Sequence, residues 1–128
     1  MYALFAAALL GLADVTPAAS PATIYVISYH AGPAWLVGKP LMEQPIGAHS
    51  AYMKQLFSEG RMIAAGPTLE APGGMILLSC ASVGEAKATM DADPAVTAGL
   101  FVGELRTWRV AFSNGESLAS RRPEAAKP

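Results

Sequence analysis

Few side chains in this chain are suited to moving a proton. Two histidines, His30 and His49, stand on different segments, one cysteine, Cys80, sits in the apolar run MILLSCA, and two aspartates, Asp91 and Asp93, close the run SVGEAKATMDADP. His49 lies near the start of IGAHSAYMKQLFSEG, where Tyr52, Met53, Leu56 and Phe57 recur at helical spacing and Gly60 falls where a left-handed residue would end the helix. His49 precedes that stripe by three and four residues, which places it in the first turn on the face predicted to be buried. The amides and positive dipole end of a helix start disfavour an added positive charge, a setting that suits an imidazole acting as a general base. The competing role is structural, a ring satisfied by a loop carbonyl that fixes where the helix begins. Helix geometry alone leaves both readings open.

Asp93 is the second proton-handling candidate. It precedes Pro94, and a residue before proline avoids the helical region, so the pair ends a helix and the carboxylate is suited to capping a turn. Asp91 reads as solvated and Cys80 as a small buried hydrophobe on a strand. Tyr29, His30, Trp35, Tyr52 and Trp108 carry rings or polar tips that can line a pocket, although such residues also serve as core. Phosphate-cradling glycine loops, HExxH, CxxC and GxSxG are absent, and the two histidines lack metal-ligand spacing, so the sequence implies no metal and no organic cofactor.

The elements that must position these groups alternate clearly. TIYVISYH predicts a strand over about Ile24 to Tyr29, and the stretch to residue 45 is a loop broken by Pro33, Gly38, Pro40 and Pro45, long enough to serve as a lid. The helix with His49 follows, then strands in RMIAAGPT and GMILLSCA, the latter continuous enough to imply burial on both faces. Ser82 and Glu85 stand at capping-box spacing before a second helix, and FVGELRTWRVAF makes a last strand. The order βαββαβ predicts an α+β, ferredoxin-like fold, with two helices on one face of a four-stranded antiparallel sheet. Val102, Trp108, Val110 and Phe112 fall on one side of the last strand, Leu105 and Ala111 on the other. The second sheet face therefore needs a cover, and a symmetric copy packed sheet to sheet is the simplest one.

A chain of 128 residues suits one domain, placed here at residues 23–112. The formal net charge of -1 argues against a nucleic-acid partner. The opening MYALFAAALLGLA lacks charge but is shorter than the roughly 20 apolar residues a membrane span needs. With the small residues of TPAASPA it resembles an export leader over residues 1–22, although the basic start of such leaders is missing. Cleavage there would place the protein in the periplasm or outside the cell; otherwise it would be cytoplasmic. Residues 113–128, polar and small, read as a disordered tail.

Taken in order, a His opening the first helix (His49), a glycine-to-GP strand end (Gly60 to Pro67), Glu85-Ala86, Asp93-Pro94, Gly99-Leu100 and a final strand with Trp108 resemble the YciI-like (YCII-related) family of dimeric α/β-barrel proteins. The resemblance spans about Ile24 to Phe112. It implies a sheet-to-sheet homodimer and a pocket flanked by His49 and Asp93. Enzymes of this and similar families act on small cyclic or aromatic compounds, including dehydrochlorination and isomerisation. One departure lies in the loop: members often carry an arginine shortly before the His, and here Lys39 is the only basic group. The expectation is a small homodimeric enzyme of lyase or isomerase type. His49 moves a proton, Asp93 orients it, Tyr29, His30, Tyr52, Gly66, Pro67 and Trp108 shape the pocket, and residues 31–45 form a lid. The alternative is a non-catalytic ligand-binding or accessory module.

Overall fold

The computed structural model describes residues 23–114, so the expected leader and nearly all of the expected tail lie outside the described residues. The elements are β1 (Thr23–Ala31), α1 (Gly47–Ser58), β2 (Met62–Pro67), β3 (Gly73–Leu78), α2 (Val83–Asp91), α3 (Pro94–Thr97) and β4 (Phe101–Arg109). The strands form one antiparallel sheet in the order β2-β3-β1-β4, the ferredoxin-like α+β arrangement.

Local chemistry sets the element ends. Gly60, at φ 70°, closes α1: its amide donates to the Phe57 carbonyl (3.1 Å) and the Arg61 amide to the Leu56 carbonyl (3.0 Å). That double bond is a Schellman stop, which a left-handed glycine makes without steric cost. At the start of α2 the Ser82 hydroxyl accepts from the Glu85 amide, while the Glu85 carboxylate reaches back to the Ala81 amide. The short helix α3 is an addition to the predicted order. Asp93-Pro94 ends α2 as expected, but proline one residue past a capping aspartate is also a helix start, and both signals act at one dipeptide.

Alternation along β1 decides which groups meet. Tyr25, Ile27 and Tyr29 point to the helices, where they pack with Ile76 and Leu78 of β3, Leu56 of α1, Ala86 and Met90 of α2, and Ala95 of α3. Gly103 of β4 stands opposite Tyr29; a Cβ there would lie 2.6 Å from the Met90 sulfur, so the missing side chain lets that helix close over the tyrosine. The other sheet face carries Val26, Leu77, Met75, Val102 and Trp108 among His30, Glu104 and Arg106. Met75, Val102 and Trp108 are 45%, 52% and 43% exposed, so β3 is not buried on both faces within one chain. Val110 is buried and Phe112 fully outside, because β4 ends at Arg109 and its alternation ends there too.

Candidate active site

Three elements deliver the buried polar cluster beneath this sheet's helices. α1 begins after Ile46 with no side-chain cap and carries His49 in its first turn. β1 brings Tyr29 from the middle of the sheet, and Asp93 arrives as the cap of α3. The Asp93 side chain is fully buried, whereas that of His49 keeps 16% of its surface.

Every oxygen of Asp93 is occupied. Oδ2 accepts from the Tyr29 hydroxyl at 2.8 Å and from His49 Nδ1 at 2.8 Å, and Oδ1 accepts from the Ala95 amide at 2.9 Å and also faces Nδ1 at 2.9 Å. A buried carboxylate is tolerable only with such partners, and the charge-assisted bonds supply them. The expected capping role of Asp93 is therefore real and coexists with the bond to His49. Because the carboxylate only accepts, Nδ1 is the protonated nitrogen of the neutral ring, and Nε2 is left with its lone pair. Burial first, and then the Asp93 charge that the phenol faces, pushes Tyr29 well above the usual tyrosine range. Tyr29 is thus fixed as a donor.

Aromatic neighbours hold the imidazole in place. Tyr29 meets it edge-on at 5.7 Å and Phe101 at 5.3 Å, and Phe101 itself stacks on Tyr29 at 5.3 Å. Beside His49 opens a cavity of about 470 Å³. Leu41, Met42 and Ile46 of the loop, Met53 and Lys54 of α1, and the β2–β3 segments around Gly66 and Gly74 form its walls. The loop is clipped shut by Gln44, which is 5% exposed. Its side chain bonds the Leu36 amide, the Leu36 carbonyl and the Lys39 carbonyl at 2.8 to 2.9 Å.

Of the residues expected to shape the pocket, Tyr29, Gly66 and Pro67 line this cavity and His30, Tyr52 and Trp108 do not. His30 and Trp108 occupy even positions opposite Val102 and Ile24, which turns both to the open sheet face; His30 there lies 3.8 Å from Glu104. Tyr52 lies between α1 and α2, where its hydroxyl donates to the Thr89 carbonyl at 2.8 Å. Lys39 faces a neighbouring groove with Trp35 and Glu70. Sequence reasoning overlooked Phe101, Lys54 and Gln44. Phe101 was detectable as the cross-strand neighbour of β1 at Ala31, and Lys54 as the residue one helical turn after Ser50. Gln44 had no sequence signal beyond its place in the loop. Among the described residues, no cluster of three or more His, Cys, Asp or Glu side chains could hold a metal ion.

The sheet, the helices and the His49–Asp93 pair all fall within residues 24–109, over which the chain matches the YCII-related domain. The chain belongs to the YCII-related family. Among solved structures it is similar to 5-chloro-2-hydroxyhydroquinone dehydrochlorinase from Burkholderia phenoliruptrix in complex with 2,5-dihydroxybenzoquinone. The identity is 24%, the match covers 67% of this chain and 93% of that one, and the TM-score is 0.54, a likeness of fold. No curated protein matches the chain. Among the described residues of this YCII-related chain, no helix is long and apolar enough to cross a membrane.

Proposed function

We propose that this YCII-related protein is a small homodimeric enzyme that moves a proton on a small cyclic or aromatic compound, in the manner of a lyase or isomerase. The observation that carries the reading is the buried Asp93 bonded to His49 Nδ1 while His49 lines a largely apolar cavity. In that arrangement Nε2 accepts a proton from a ring carbon or hydroxyl, and Asp93 stabilises the charge that the ring then carries. In an isomerisation the proton returns to a different carbon. In an elimination the C–H electron pair forms a double bond as the leaving group departs with its own pair.

The relative from Burkholderia phenoliruptrix, with its hydroquinone chemistry and bound dihydroxybenzoquinone, supports a single hydroxylated ring as the first ligand to try. The dimer would pair the open sheet faces, covering Met75, Val102 and Trp108.

Hydrogen–deuterium exchange tests the chemistry without knowledge of the natural substrate. Hydroxyquinones, beginning with 2,5-dihydroxybenzoquinone, and unsaturated lactones are incubated with the protein in heavy water, and loss of their C–H signals is followed by proton NMR. The wild type is expected to accelerate exchange of at least one compound, and His49→Gln to return it to the buffer rate. Equal rates for both proteins would leave only a binding module.

A further inference from the structure

The ionisable side chains that line the cavity beside His49 are Tyr29, His49 and Lys54, and no carboxylate is among the lining residues. Tyr29 is held neutral by its bond to Asp93. Asp93 lies behind the imidazole with both oxygens engaged and no exposed surface. Lys54 differs from Lys87, the other α-helical lysine among the described residues. Lys87 pairs with Asp91 four residues on, whereas Lys54 enters no ion pair among the described residues. Ser50, four residues earlier and so on the same edge of α1, also lines the cavity.

Helix geometry brings these two groups together. Helical side chains lean towards the N-terminus, so the Lys54 stem lies over the turn that holds Ser50. His49, Ser50 and Lys54 border one cavity of about 470 Å³, so a ring held by the ammonium and the hydroxyl shares that space with the imidazole.

We propose that Lys54, with Ser50, anchors an ionised oxygen of a single-ring acid, a carboxylate or an acidic enol or phenol, so that the opposite edge of the ring lies against His49. This rests on the reading of the cavity as a small-ring site, and it adds what that reading lacks: the charge of the ligand and the end by which it is held. An ammonium near a cavity with apolar walls favours an anion over its neutral isostere, and the preference weakens as salt screens it.

The test is a matched pair of probes, 4-hydroxybenzoate and 4-hydroxybenzamide, titrated into the full chain while the His49 ring resonances are followed by NMR. The wild type is expected to bind the acid about tenfold more tightly than the amide at low salt, about 1.4 kcal/mol. Lys54→Gln should bring the two within about twofold, Lys54→Arg should keep the preference, and half-molar salt should shrink it. Lys54 is exposed, so unchanged melting temperatures for both variants would show that folding is not the cause. Equal binding of acid and amide by the wild type, or a preference that survives in Lys54→Gln, overturns the proposal while leaving the small-ring site standing. If neither compound moves the His49 signals, both readings fall. Binding requires no turnover, so a failed exchange reaction with His49→Gln leaves this test intact.

Discussion

Replacing Asp93 with asparagine changes one atom of the buried cluster and should reverse the tautomer of His49. The Ala95 amide holds Oδ1 at 2.9 Å, and asparagine caps a helix as well as aspartate does, so the amide oxygen stays there and α3 keeps its cap. The new nitrogen then takes the place of Oδ2, 2.8 Å from both the Tyr29 hydroxyl and His49 Nδ1. It donates where the carboxylate accepted, so a protonated Nδ1 would meet an N–H at the Oδ2 position and keep only the amide oxygen at 2.9 Å, which the Ala95 amide already occupies. The ring proton moves to Nε2, and the cavity receives a donor instead of a base.

Two charge-assisted bonds become neutral ones. At a difference of about 1 kcal/mol each, Asp93→Asn should cost about 2 kcal/mol, roughly 8 to 16 °C in a domain of this size. Nitrogen-resolved NMR of the imidazole reads the tautomer directly, and a thermal melt reads the stability. Proton exchange should fall on the order of 10³-fold or more, as for a base given the wrong tautomer. A variant that keeps Nε2 bare, or melts with the wild type, would refute the bonding pattern assigned to Asp93.

Other consequences follow from the same contacts. Tyr29 is held neutral above the ordinary tyrosine range, so its contribution to stability is constant below about pH 10 and falls as the unfolded chain ionises above it, by up to roughly 1.4 kcal/mol per pH unit. Tyr29→Phe should lose about 1 to 2 kcal/mol at neutral pH and show a shallower alkaline decline in denaturant titrations. Burial pushes the Cys80 thiol above the usual range, so alkylation at pH 8 should run at least tenfold slower than for a free thiol and recover in guanidinium. Trp108→Arg places a charge on the open sheet face, 43% exposed in one chain. Light scattering should then find the wild type at twice the chain mass and the variant at the chain mass; two monomers would remove the dimer.

The fold was legible because its signals were local and redundant. Period-two alternation in β1 and β4, the Ser82–Glu85 cap and the Gly60 stop each act within a few residues, and together they left one plausible order. What could not be read was which face of a strand meets which helix. His30 and Trp108 are plausible pocket residues by type, and only strand parity sends them to the opposite side of the sheet from His49. Tyr52 resembled a pocket residue for the same reason, until its hydroxyl is seen bonded to Thr89 of α2. Asp93 shows the opposite difficulty. A capping aspartate and a partner for histidine look identical in sequence, and here one carboxylate does both because it has two oxygens to share. Gln44 was invisible since its three bonds go to backbone groups, which every residue carries.

A crystal structure of the protein with 2,5-dihydroxybenzoquinone tests the central claim most directly. The ring is expected in the cavity lined by Ile46, Gly66 and Phe101, with one of its atoms within hydrogen-bonding reach of His49 Nε2 while Nδ1 remains on Asp93. A ring bound elsewhere, or seated in the cavity against a His49 that has left Asp93, would contradict it.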